Sequence, residues 1–227
     1  SPLAFMMWED RAKAFETYFK DKGGITFQNL HDALSDPAIA GNWAKLGGDP
    51  NWGLIKVGFT DPRRSNSGTM MLIAMANNYA GKTGRVTSAE VAKPEFGAWM
   101  AVISNAISQP LRNSSGTLMQ DYIAKGPASY DVVIIYEALA IEYFKNAVGR
   151  HGQSLRIVYP QYNLYSDHPI CRIDHPAVTP AQQAAGKTFV DFLTGTEMQT
   201  LALTYGYRPA DLNIPLFGAS TAFDDPD

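Results

Sequence analysis

"YDVVIIYEAL", residues 130–139, decides the fold. Its "YDVVIIY" (130–136) reads as the clearest buried strand of the chain, rich in β-branched and aromatic residues, the composition of a strand covered on both faces. The run passes without a linker into "EALAIEYFKNA", where the apolar residues recur at helical spacing up to Ala147. A strand buried on both faces and followed at once by a helix is a unit of an α/β fold, in which a mainly parallel sheet is flanked by helices.

The same grammar repeats on either side. "LAFMM" (3–7), "LIKVGF" (54–59), "SLRIVYP" (154–160) and the short "ICRI" (170–173) read as strands. Helices are predicted over "EDRAKAFETYFKDKGG", where Phe15 and Phe19 are spaced as i and i+4, and over Met70–Tyr79, Glu95–Ser108 and Thr117–Lys125. Thr87 with Glu90 has capping-box spacing. Thr179 with Pro180 and Gln182 announces another helix start, and Thr196-Glu197-Met198-Gln199 repeats the device. Residues 36–51, rich in Gly, Asp, Asn and Pro, read as loop.

Composition narrows the function classes. The chain has 227 residues, 45% hydrophobic and 18% charged, with a net charge of −3. That is a globular composition with no basic patch for nucleic acid. No segment approaches the ~18 apolar residues of a membrane span. The single Cys171 cannot form an internal disulfide and reads as a small buried apolar residue. A start at Ser1 without methionine or signal peptide reads as processed or cut.

In parallel sheets ligands sit beyond the carboxyl ends of strands, where loops enter helices. The junction "GFTDPRRSNSGTM" (58–70) offers the hydroxyls of Ser65, Ser67 and Thr69, the amide of Asn66, and Gly68, where a ligand can approach the backbone. Unpaired N–H groups at a helix start favour oxygen-rich or anionic solutes. A simple helix cap explains the same residues, so spacing alone leaves both readings open. Arg63 and Arg64 read as a solvated face.

At the second junction Tyr136 and Glu137 follow the buried strand. Glu137 has no base or second acid fixed beside it, which points to hydrogen bonding or ligand contact rather than catalysis. "GKT" (81–83) lacks the glycine of a phosphate loop, since Ala76 stands there. His168 and His175, each in an Asp-His-Pro triplet, are not at helical spacing for a metal pair and read as turn residues. Neither a cofactor nor a catalytic group is indicated.

Four stretches together carry a resemblance: "VGFTDPRRSNSGTMMLIAMANNYA", "YDVVIIYEALAIEYF", "LRIVYPQYNLYSDHPICRID" and "AAGKTFVDFLTGTEMQTLALTYGYRPAD". In this order they resemble bacterial extracellular solute-binding proteins of the type II periplasmic-binding class, and within it the branch fused to a von Willebrand A domain. The resemblance implies a two-lobed clamp with a small polar or anionic solute held at Ser65, Asn66, Ser67, Gly68 and Thr69, with Tyr136 and Glu137 nearby. It implies that Asp61, Pro62 and the Gly206–Pro209 turn are structural.

By the same resemblance, residues 1–168 form one lobe with a hinge strand at 3–7. Residues 169–209 supply the return hinge strand and two helices of the other lobe, and 210–227 are a tail or linker. A half-lobe on the order of 100 residues is expected ahead of Ser1. The implied setting is extracellular or periplasmic, with anchoring outside this chain, and the implied partners are a membrane transporter for uptake, a sensing system, or a fused von Willebrand A domain. Two other classes stay open: an envelope protein-interaction module with a vestigial cleft, and an enzyme built on the same fold.

Overall fold

Every residue from Leu3 to Trp8 is buried, and the larger part of the chain is arranged around that strand. The computed structural model describes residues 1–218 and 221–223. In chain order the elements are β1 (Leu3–Trp8), α1 (Glu9–Tyr18), α2 (Phe27–Ser35), β2 (Val57–Gly58), α3 (Asn66–Ala80), α4 (Ser88–Val91), α5 (Pro94–Asn105), α6 (Ser115–Lys125), β3 (Val132–Tyr136), α7 (Glu137–His151), β4 (Leu155–Val158), α8 (Pro180–Thr194) and α9 (Thr196–Leu203). They divide into two units, Pro2–Tyr165 and Ser1 with Ser166–Asp227. Of the tail expected over 210–227, residues 219, 220 and 224–227 lie outside the described residues.

In the larger unit the strands lie in the order β2-β3-β1-β4. β2 and β3 are parallel, but β1 runs antiparallel to both its neighbours, with Leu3 opposite Tyr136 and Phe5 opposite Val158. The sheet is therefore mixed and not mainly parallel. Alternation predicts a common direction for strands that are each reached through a crossover helix. β1 is reached through none, so the rule did not apply to it, and it fills the gap between two strands that the α7 crossover leaves apart.

Side chains of β1 alternate between two cores. Leu3, Phe5 and Met7 join Phe15, Phe27, Trp43 and Met71 on one face; Met6 and Trp8 join Leu118, Tyr122, Tyr130 and Leu155 on the other. Phe5 packs on Phe27 with centroids 4.7 Å apart. Trp8 packs on Tyr122 at 4.9 Å and donates its indole N–H to Tyr130 O at 3.0 Å. Each such side chain contributes roughly 1.5–3 kcal/mol by leaving water.

β2 is shorter than the expected 54–59 because its approach is tied to one side chain. Asp131, with no exposed side-chain surface, accepts from Lys56 N at 2.8 Å and pairs with Lys56 Nζ at 3.2 Å and Arg11 Nε at 3.3 Å. Its backbone N–H donates to Lys56 O at 2.8 Å, and its carbonyl accepts from Trp8 N at 3.3 Å. Gly58 follows because a Cβ there would lie 2.7 Å from the Tyr130 ring.

The second unit holds α8 and α9. The predicted capping box is present: Thr179 Oγ1 accepts from Gln182 N at 3.3 Å, and Gln182 Oε1 accepts from Thr179 N at 2.8 Å. The box expected at Thr196 is not formed. Gly195 ends α8 and also caps α9, so Thr196 is already helical, and Gln199 turns away to donate to Leu193 O at 2.8 Å.

Residues 170–173 are not in a strand; Ile173 is 75% exposed and Cys171 is exposed rather than buried. A short apolar run becomes a strand only against a partner, and among the described residues this segment pairs with none. The extended partner of the chain start lies earlier. Pro2 bridges Tyr165, and Ser166 N donates to Ser1 O at 3.0 Å.

Asp131→Ala removes the buried carboxylate shared by Arg11 and Lys56, leaving Arg11 only its pair with Asp10, and denaturant titration is expected to show a loss of about 3–5 kcal/mol. Lys13→Ala, which breaks the exposed pair with Glu9, is expected to cost less than about 0.5 kcal/mol. Equal costs would show that Asp131 does not hold the strands together.

Candidate functional site

The chain leaves β2 through Phe59 and Thr60 and enters α3 at Asn66, and Asp61 shapes the turn between them. Its carboxylate accepts from Arg63 N at 2.9 Å, Arg63 Nε at 3.0 Å and Arg63 Nη2 at 2.9 Å. Its carbonyl accepts from Arg64 N at 3.0 Å and Ser65 N at 2.9 Å, and its N–H reaches Arg112 O at 2.9 Å. The Arg63 guanidinium and N–H hold the Asp61 carboxyl down to about 2. Arg63 is thereby neutralised by its neighbour, and Arg64 is exposed.

The five junction residues take different positions. Ser65 occupies the N-cap position of α3, yet its hydroxyl makes no cap hydrogen bond. It lies 3.0 Å from Ser67 Oγ, which in turn lies 2.8 Å from Thr60 Oγ1, so three hydroxyls form a chain that runs from the surface inward. Ser67 and Thr60 are 2% and 1% exposed.

Asn66 is exposed and donates from Nδ2 to the Tyr136 hydroxyl at 2.8 Å. Thr69 is exposed and donates to Pro62 O at 2.8 Å. Among the described residues, Gly68 N and Thr69 N find Ser65 O, whereas the N–H groups of Asn66 and Ser67 have no acceptor. Such groups at the start of a 15-residue helix carry the positive end of its dipole.

At Gly68 a Cβ would lie 2.5 Å from Thr60 O and 2.8 Å from Pro62 Cα, so the chain's own turn requires glycine there. Gly68 lets α3 press against the strand exit, which sets the height of the helix start.

Tyr136, at the end of β3, meets α3 through Asn66. Glu137 is fully buried. Its N–H donates to Pro2 O at 2.9 Å, and its carboxylate accepts from Tyr159 Oη at 2.6 Å. The structure thus gathers Ser65, Asn66, Thr69 and Tyr136 at the surface, with Ser67 and Gly68 beneath them and Glu137 enclosed. Sequence reasoning missed Thr60 and Tyr159. Each stands just beyond a strand's carboxyl end, which was the available signal.

Of the two histidines in the Asp-His-Pro triplets, His175 begins a turn, its carbonyl accepting from Val178 N at 2.9 Å, and His168 lies in irregular chain. His168 packs against Tyr207 at 6.0 Å, and His175 Nδ1 accepts from Ala177 N at 3.1 Å. No cluster of three or more metal-ligating side chains occurs among the described residues.

A family model of bacterial extracellular solute-binding proteins matches residues 1–208. The chain belongs to that family. No curated protein matches it. In this bacterial extracellular solute-binding protein, no helix among the described residues is long and apolar enough to cross a membrane.

Two measurements check the geometry. Gly68→Ala is expected to destabilise by about 1–3 kcal/mol through overpacking, although alanine favours a helix by about 1 kcal/mol. Gly97→Ala in α5, where a Cβ meets nothing within 4 Å, is expected to be neutral or stabilising. An NMR titration of the Asp61 carboxyl is expected to centre near 2 and to move up towards the usual ~3.9 in Arg63→Ala. Because folding lowers this pKa, its stabilisation is complete above about pH 4 and lost as pH falls towards 2; a midpoint near 4 in the native chain would refute the pairing.

Proposed function

We propose that this chain binds a small polar or anionic solute at the start of α3, through the N–H groups of Asn66 and Ser67, the Ser65 hydroxyl, the exposed side chains of Asn66 and Thr69, and the half-buried Tyr136. The observation that carries the proposal is the withheld cap. Ser65 is a cap residue in a cap position, and its hydroxyl is turned to Ser67 instead. An ordinary cap stabilises by about 1 kcal/mol by satisfying one N–H of the first turn, and forgoing it leaves the Ser67 N–H for a ligand beside that of Asn66, which no cap would reach. Membership of a solute-binding family supports binding rather than catalysis.

In this reading Ser67 and Gly68 hold the site in shape, and Glu137 steadies Tyr159 behind it. Asp61 removes the nearest arginine from competition, so recognition rests on neutral donors and the helix dipole. The finer picture proposed is a clamp of the type II class that serves a membrane transporter or a sensor, with a fused von Willebrand A domain as a further partner. An interaction module of the cell envelope is the second reading, favoured by the exposure of Phe189 and Phe192 at 59% and 56%.

Calorimetry with a panel of small oxyanions and neutral sugars tests the proposal, with Ser65→Ala and Asn66→Ala beside the native chain. If the solute is anionic, losing a hydrogen bond to it is expected to weaken binding roughly 10- to 100-fold. If it is neutral, the loss is roughly 2- to 10-fold. Binding that is unchanged in both variants would remove the site from α3, and a chain that binds proteins but no solute would favour the interaction module.

A further inference from the structure

We draw no further inference here: the strongest candidate, the exposed apolar face that Phe189 and Phe192 give α8 in the unit of Ser166–Asp227, carries nothing because nothing in the structure shows what covers it.

Discussion

The larger unit depends on one buried carboxylate. Asp131 sits where β1 ends, where the chain approaches β2 and where β3 begins, and it binds all three through Trp8, Lys56, Arg11 and its own backbone groups. Burial pushes its carboxyl up, and the Lys56 charge opposes that shift without cancelling it. Desolvation of such a group can match or exceed what its partners return. Its contribution is therefore specificity of pairing. A register slip by one residue would strand this charge among apolar side chains and turn the alternating faces of β1 the wrong way. Arg11 is further held over the Trp52 ring at 4.0 Å, which closes the cluster from outside.

That anchorage lies at the end of the sheet opposite the start of α3, which gives the site a fixed base. From Lys56 to Thr60 the chain advances through one short strand, and the geometry at Thr60 follows from the geometry at Lys56. Gly68 and the Thr60–Ser67 contact then fix the helix start against the strand exit. The exposed polar groups therefore stand on a framework already determined by packing. A binding site that is to hold a solute by a few neutral donors needs that rigidity, because each hydrogen bond must form without a new ordering cost.

Much of this was legible in the chain. The runs expected as strands at 3–7 and 130–136 are found with shifted ends, the first extended by one residue to Trp8 and the second starting at Val132 after the polar Asp131. The Thr179 and Thr87 helix starts were legible because a capping box is local chemistry. What could not be read was set by tertiary neighbours. The direction of β1 depends on strands far along the chain. "ICRI" had the pattern of a strand but no partner edge. At the candidate site, residue types marked the junction, but spacing could not show that Gly68 is filled by Thr60 O or that Glu137 is enclosed with Tyr159. Thr196 misled because Gly195 leaves a single residue between two helices.

The central place of β1 also bears on how the molecule reaches its native state. Its partners are β3 and β4, the last strands of the sheet in chain order. The earliest strand has no partner until Val132–Tyr136 has been made and is paired on both edges only after Leu155–Val158, and closing loops of that size has to precede any gain from the contacts. Such high contact order slows folding. Until then "LAFMMW" is an apolar ribbon without a sheet, and its exposure on a nascent chain is a hazard that the finished protein no longer shows.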